Sequence, residues 1–282
     1  MAEKKDHWST EAYQHSASFV PKLATKIVQW LDPQKDDVIL DIGCGDGIVN
    51  IQISEILAQG SGSIHGTDSS PAMITAAQQL ASQSSASKCT FEVVDGLQLA
   101  QFPHLQDGHF TKLFSNAALH WVLGAAKSTP AAQAGFFVAA RNALKPGGVF
   151  AFEMGGLGNV AEIRSALLSS VARYAPGGLD AAVKADPWLF PDEVYITKIM
   201  EEEVGGWKVE RAEREYRPTV AVEGGVAGWV RLFGAPFFEV VPEGQREKCI
   251  QEAIGVLEVV CRNPSGGFHL GYVRLRILAK KV

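Results

Sequence analysis

The chain has 282 residues, 46% hydrophobic and 20% charged, with a formal net charge of −5. That is an ordinary soluble composition, with room for one large domain or a domain carrying a cap. No basic tract marks nucleic acid as a partner, and no run of about 18 apolar residues marks a membrane span.

Cys44, Cys89, Cys249 and Cys261 are widely spaced and form no Cys/His framework, so no metal is expected from spacing and a reducing compartment fits. The segment Met1–Asp6 is polar and has no signal-peptide core, which makes the cytoplasm the expected location. Residues 1–15 are polar, punctuated by Trp8 and Tyr13. Phe19, Leu23, Ile27, Trp30 and Leu31 then repeat at helical spacing, and Asp32-Pro33 ends that helix.

Val38-Ile39-Leu40 reads as a buried strand. It runs into Asp41 and then glycine at alternate positions, Gly43, Gly45 and Gly47, with Cys44 inside the turn. Ile48 to Leu57 follows with helical apolar spacing. A strand, a glycine turn and a helix open a nucleotide-binding βαβ unit, in which glycine lets backbone N–H groups approach a ligand closely. The order D-x-G-x-G-x-G differs from the dinucleotide fingerprint. A carboxylate at the mouth of the turn repels a pyrophosphate and welcomes an ammonium. On these residues alone, a structural turn or another nucleotide site remains open.

A second strand, Ile64 to Asp68, places an acid where Rossmann-like folds hold ribose hydroxyls. Ser69, Ser70 and Pro71 start a helix with Met73 one turn in. Phe91 to Gly96 reads as a third strand ending in Asp95. Residues 82–88 are a polar surface loop. Phe110 to Ala117 reads as a fourth strand, Ala131 to Leu144 as a helix, and Leu144 to Phe152 as a glycine turn leading into a fifth strand. Helices are expected over Val160 to Tyr174 and Pro191 to Val204, with breaks at Gly177-Gly178 and Pro187. Trp207 to Tyr216 and Gly271 to Lys280 read as strands six and seven. The roughly 50 residues between them hold two helical stretches, Glu223 to Phe233 and Glu243 to Cys261, more than a hairpin needs.

Asp41 with Gly43, Gly45 and Gly47 resembles motif I of the class I methyltransferases. End to end, the chain resembles the trans-aconitate methyltransferase group. The resemblance is carried by Trp8 with Tyr13, by Asp68-Ser69-Ser70-Pro71-Ala72-Met73, and by Ser115-Asn116-Ala117-Ala118-Leu119-His120-Trp121. Phe190 to Tyr195, Gly228-Trp229 and Tyr272 to Arg276 extend it through the C-terminal half. It implies an α/β fold: a Rossmann-like seven-stranded sheet of order 3-2-1-4-5-7-6, strand seven antiparallel, helices on both faces and a helical cap. The implied organisation is an N-terminal lid and helix over 1–31, a cofactor core over 32–156, and the rest of the sheet over 157–282 with a cap at about 217–270.

The cofactor implied is S-adenosyl-L-methionine, leaving as S-adenosyl-L-homocysteine. In the family pattern Asp41 reaches its ammonium, and Gly43, Cys44, Gly45 and Gly47 line its methionine and ribose. Asp68 holds the ribose hydroxyls, with Ser69 beside it among the cofactor-binding residues, and Asp95 and Gly96 hold adenine with Met73 against its face. Asn116 and Ala117 lie near the reactive methyl, and Tyr13 closes over it.

The acceptor is expected to be a small molecule, walled by Trp8, Tyr13, His120, Trp121, Trp229 and Arg231. A carboxylate acceptor needs no base, only a cation to position it, for which Arg231 and Arg217 are candidates. An alcohol or acidic carbon needs a base, for which His120 is the candidate. Arg274 and Arg276 read as structural, and His269 as a candidate pocket residue. The first expectation is O-methylation of a small organic acid. The alternatives are O-, N- or C-methylation of a secondary metabolite, a non-catalytic cofactor-binding regulator, and a protein methyltransferase. Monomer and homodimer stay open.

If Asp68 binds the ribose, Asp68→Ala weakens cofactor binding by about 1–3 kcal/mol in calorimetry. An unchanged affinity removes that role.

Overall fold

The structure is a computed structural model that describes residues 24–221 and 224–282. Trp8, Tyr13 and the start of the first helix lie outside the described residues.

The elements follow in order. Helix α1 (Thr25–Leu31), strand β1 (Val38–Ile42), α2 (Ile48–Leu57), β2 (Ser63–Asp68), α3 (Pro71–Gln83) and β3 (Cys89–Val93) form the first half. Two 3₁₀ turns (Gly96–Gln101 and Pro103–Leu105) lead to β4 (Phe110–Asn116), α4 (Leu119–Ala125), α5 (Pro130–Ala143) and β5 (Leu144–Gly155). Then come α6 (Ala161–Tyr174), α7 (Gly178–Ala185) and α8 (Glu193–Thr197), which continues as a π turn over Lys198–Val204. Strand β6 (Trp207–Val220), α9 (Gly225–Phe233), a 3₁₀ turn (Ala235–Val240), α10 (Glu243–Val260) and β7 (His269–Lys281) complete the chain.

The seven strands form one sheet in the order β3-β2-β1-β4-β5-β7-β6. β1 runs parallel to β2 and β4, β2 to β3, and β4 to β5, whereas β7 is antiparallel to β5. This is the expected seven-stranded order, with strand seven antiparallel.

Alternation along the strands builds a core on each face of the sheet. Ile39, Phe114 and Ala151 pack with Ile27 and Leu31 of α1 and Val49, Ile53 and Leu57 of α2. Their strand neighbours Leu40, Ile42, Phe150 and Phe152 pack with Phe136, Phe137 and Ala140 of α5 and with Ile196 and Met200. Each fully buried phenylalanine contributes about 1.5–3 kcal/mol of transfer free energy.

The chain divides into two compact units. One comprises the described residues up to 157 together with 189–215 and 274–282. The other comprises 158–188 and the described part of 216–273, so the cap region at about 217–270 shares its unit with α6 and α7. Within that second unit, Trp188 packs on Trp229 and Phe237 at ring separations of 6.0 and 5.3 Å. Asp186 holds Arg164 at 2.6 Å, and Ser170 donates to the Cys249 carbonyl at 2.7 Å.

In the sheet unit, β7 is held by charge as well as by its ladder. Glu153 of β5 is almost fully buried. Its Oε1 accepts from Arg274 Nε at 2.9 Å and its Oε2 from Arg276 Nε. Arg276 Nη1 also donates to Glu213 at 3.0 Å and to Glu215, and both glutamates hold Lys26. The register explains the grip. Glu153 faces Arg276 directly across the β5–β7 ladder, and Arg274 lies two residues further on the same face.

Removing one member of such a cluster leaves its partners charged and buried. Glu153→Gln is expected to cost about 3–5 kcal/mol in chemical denaturation. A loss below about 1 kcal/mol would show that Glu213 and Glu215 satisfy both arginines without it.

Candidate active site

The strand order places β1 and β4 side by side at the point where the chain reverses direction across the sheet. In open α/β sheets, ligands bind in the crevice outside the carboxyl ends of such strands. Four of the sequence-predicted elements meet there.

The β1–α2 turn is bound to the end of β2. The amides of Gly43 and Cys44 both donate to the Thr67 carbonyl, at 2.7 and 2.9 Å, and Gly45 N donates to Asp68 Oδ2 at 3.0 Å. Gly43, Gly45 and Gly47 have φ of 79°, 56° and 77°, the left-handed region that disfavours side chains. Their spatial reasons differ. A Cβ on Gly43 would lie 2.2 Å from Cβ of Ala118, beyond the end of β4, so the two strand exits touch here. A Cβ on Gly47 would strike Ala77 and Phe91, so this glycine lets α2 sit close to α3 and β3. Among the described residues, a Cβ on Gly45 would meet nothing within 4 Å, so none of them closes over the turn there.

Asp41 sits beneath this turn, 2% exposed. Its Oδ1 has no hydrogen-bond partner among the described residues. Burial first, and then the neighbouring Asp68 charge, raise its pKa well above the ordinary carboxylate value, and the nearby Asn50 side chain opposes this only in part. Burial and the Asp41 and Asp68 charges likewise push the Cys44 thiol well up, so it is a neutral, small wall residue. The donor set fits a cationic ligand. An orphaned buried carboxylate oxygen calls for an ammonium, and an open glycine cradle gives that ligand's chain room. The S-adenosylmethionine expectation passes this test.

Asp68, Ser70, Asp95 and Gly96 have local structural duties. Asp68 Oδ1 accepts from Ser70 N at 2.9 Å while its Oδ2 holds Gly45. Ser69 is exposed. The α3 cap is Ser70, whose hydroxyl accepts from the amide of buried Met73 at 3.2 Å. β3 ends at Val93, so Asp95 lies two residues past the strand instead of ending it. The Asp95 carboxylate caps the following 3₁₀ turn through Leu97 N, and Val94 N donates to the Asp68 carbonyl, tying the two exits together. Gly96 is buried, and a Cβ there would meet Val122 of α4 at 3.1 Å.

At the β4 exit, Asn116 and Ala117 are half-buried. Ala117 has φ 59°, a strained value for a residue with a side chain. Its amide donates to the Glu153 carbonyl at 2.7 Å, which fixes the kink and starts α4. His120 is buried on α4, 7% exposed. Its Nδ1 accepts from the Gly155 amide at 3.3 Å, so the ring proton is on Nε2. Burial and the Arg274 charge hold its pKa well below the usual histidine value. A neutral imidazole whose acceptor nitrogen is engaged is a poor proton acceptor. The base role expected of His120 is not what this geometry serves. Trp121 is half-buried, with its ring 5.8 Å from the imidazole.

The remaining acceptor candidates belong to the second unit and are engaged within it. Arg231 is exposed on α9 and forms a two-pronged ion pair with Glu247 of α10, which brings the Glu247 pKa down to about 2. In this structure its fork is held by the Glu247 carboxylate, so a substrate acid would have to displace that exposed ion pair. Trp229 is buried, and its Nε1 donates to Tyr272 OH at 2.6 Å, so it is a core residue of its unit. Arg217 stands inside β6, not at its end, because that strand continues to Val220. His269 Nδ1 lies 3.1 Å from Asn263 Nδ2. Sequence reasoning missed Glu153. Its one visible signal is an acid inside the apolar run Val149 to Met154.

A family profile described as a methyltransferase domain matches residues 33–190, more than half of the chain. The chain belongs to that family. An uncharacterised methyltransferase of Schizosaccharomyces pombe is 34% identical over 280 residues, covering 98% of this chain and 99% of its own. A putative methyltransferase from Bacillus halodurans has the same fold, with a TM-score of 0.58 at 12% identity, covering 92% of this chain and 99% of its own. So does phosphoethanolamine N-methyltransferase 2 from Haemonchus contortus, seen with phosphomonomethylethanolamine and S-adenosylhomocysteine. Its TM-score is 0.54 at 15% identity, over 96% of this chain and 56% of that one.

The state of Asp41 sets opposed expectations for stability and binding. Its pKa is raised on folding, so the native state binds the extra proton. Stability then falls as pH rises from the unfolded value of about 4 through the folded value. Asp41→Asn removes that penalty. In the ligand-free protein at neutral pH it should raise Tm by about 2–4 °C, the shift for roughly 1 kcal/mol at this size. In the same protein it should weaken cofactor binding more than about tenfold. A variant that loses stability at neutral pH and keeps its affinity contradicts both.

Proposed function

We propose that this chain is an S-adenosylmethionine-dependent methyltransferase acting on a small molecule, with the carboxylate of a small organic acid as first choice. The observation that carries the cofactor is the orphaned Asp41 oxygen beneath the open turn at Gly45. Asp41 would take the ammonium, Asp68 the ribose hydroxyls, and Asp95 with Gly96 the adenine edge. When bound, S-adenosylmethionine supplies an already activated methyl on a cationic sulfur. The protein's part is then to align the acceptor and to exclude water.

His120 supports the choice of acceptor. With its Nδ1 engaged and its pKa depressed, it offers Nε2–H as a donor and little basicity. A carboxylate is anionic at neutral pH and needs no base, whereas a phenol or carbon acid does. Arg274, close enough to lower the His120 pKa and buried beside it in the same unit, adds positive potential that favours an anionic acceptor. Methylation of a secondary metabolite is the second reading, favoured by the half-buried aromatic Trp121 at the β4 exit.

The test is transfer from labelled S-adenosylmethionine to a panel of di- and tricarboxylic acids, phenols and amines. Label should appear as a base-labile ester. The rate at saturation should stay level from about pH 6 to 9 and fall only as the acceptor carboxyl protonates near pH 4. Transfer to a phenol or amine, with a rate that climbs with pH, selects the second reading. Tight calorimetric cofactor binding with no transfer to any member would mark a non-catalytic regulator or a protein acceptor.

A further inference from the structure

A second cluster lies apart from the crevice, on the β2–β3 edge of the sheet. His65 of β2, Glu92 of β3 and His104 of the 3₁₀ turn Pro103–Leu105 each offer one ligand atom, and these atoms lie within 4.8 Å of one another. Glu92 Oε2 is 3.3 Å from His65 Nε2 and 2.8 Å from His104 Nε2. Donors bound to one tetrahedral zinc ion at about 2.0–2.2 Å stand roughly 3.3–3.5 Å apart. The Glu92–His65 separation matches that spacing, and small side-chain shifts would bring the other two to it.

The sheet register makes the arrangement. His65 and Thr90 are direct partners across β2 and β3, and Glu92 follows Thr90 on the same face. His65 Nδ1 lies 2.8 Å from Thr90 Oγ1. A hydroxyl both donates and accepts, so Thr90 can take the Nδ1 proton and leave the Nε2 lone pair outward. That is the outer hydrogen bond by which a metal-bound imidazole is usually oriented. His104 is the accessible member, its side chain 55% exposed, whereas His65 and Glu92 are largely covered at 22% and 33%. The mouth is thus open for an ion to enter and for water to complete its shell.

We propose that His65, Glu92 and His104 bind a divalent transition-metal ion, with Zn²⁺ the best match to two imidazoles and one carboxylate. The site is structural in character. It fastens the turn that follows Asp95 and Gly96 to β2 and β3. It stands independently of the methyl-transfer reading, because its readout is metal binding and not turnover.

The test uses the full chain, stripped with a chelator and titrated with Co²⁺ and then Zn²⁺. One equivalent of Co²⁺ should develop a visible d–d absorption that Zn²⁺ bleaches, and Zn²⁺ should raise the melting temperature. His104→Ala and Glu92→Gln should each weaken binding more than about tenfold, and Thr90→Val about tenfold or more through the imidazole it orients. His109→Ala, in the neighbouring Asp107–His109 pair, should keep the absorption band and change affinity less than about threefold. His104→Ala should keep the unstripped fold by circular dichroism, since its side chain is mostly in solvent. An absent absorption band, or one that survives His104→Ala and Glu92→Gln unchanged, would overturn the proposal. The three side chains would then be a hydrogen-bonded trio only.

Discussion

Much of the architecture turns on one buried carboxylate. Glu153 stands in the middle of the sheet, where a lone charge is costly, and two arginines of β7 neutralise it from the next strand. Its backbone does a second job: its carbonyl holds the amide of Ala117 on the other side, at the exit of β4. One residue of β5 therefore anchors the antiparallel strand and sets the strained kink from which α4 and His120 leave. The depressed pKa of His120 follows from the same arrangement, because Arg274 is one of the guanidiniums that Glu153 retains. Structural ion pairing and the electrostatics of the β4 exit are not separable here.

The glycine turn shows the opposite economy. Most of its donors are already used: Gly43, Cys44 and Gly45 are tied to Thr67 and Asp68. What the described residues leave unsatisfied is an acceptor, the Oδ1 of Asp41. The two acids there, Asp41 and Asp68, would disfavour a phosphate and suit the positively charged end of the proposed cofactor. The same feature sits poorly with a ligand-free native state, which is how a binding site commonly differs from a core.

The parallel half of the sheet was legible because its signals are local. Apolar runs ended in an acid or glycine, and the helices after β1 and β2 began with recognisable turns and caps. Helix α2 is found at Ile48–Leu57 as its spacing foretold. The third strand stops earlier than its apolar run because Asp95 turns away to cap a 3₁₀ helix. Helix α4 was read only as a strand exit: it has no side-chain cap, and Ala117 in a left-handed conformation supplies the reversal. Helix α7 was hidden behind Gly177-Gly178, which read as a break, yet Gly177 with φ 100° is the residue on which the helix starts. The partner of Arg231 was hidden for a different reason. Sequence shows a cation but not the glutamate on the neighbouring helix that already occupies it. The His65, Glu92 and His104 group was invisible in spacing because it exists only once β2 and β3 are paired.

The strand order also constrains how the chain comes into being. β6 is made before β7, yet in the sheet β7 lies between β6 and β5. On a ribosome, the parallel strands and their helices can assemble as they emerge, each docking on a neighbour already present. β6 cannot do so: it must wait, with its edge unpaired, while α9 and α10 are synthesised. When β7 arrives, it has to insert between two existing segments and bring Arg274 and Arg276 to a carboxylate that has been waiting without them. Until that moment the nascent protein carries an open sheet edge, and the arrival of β7 closes that edge and brings Glu153 its two arginines at once.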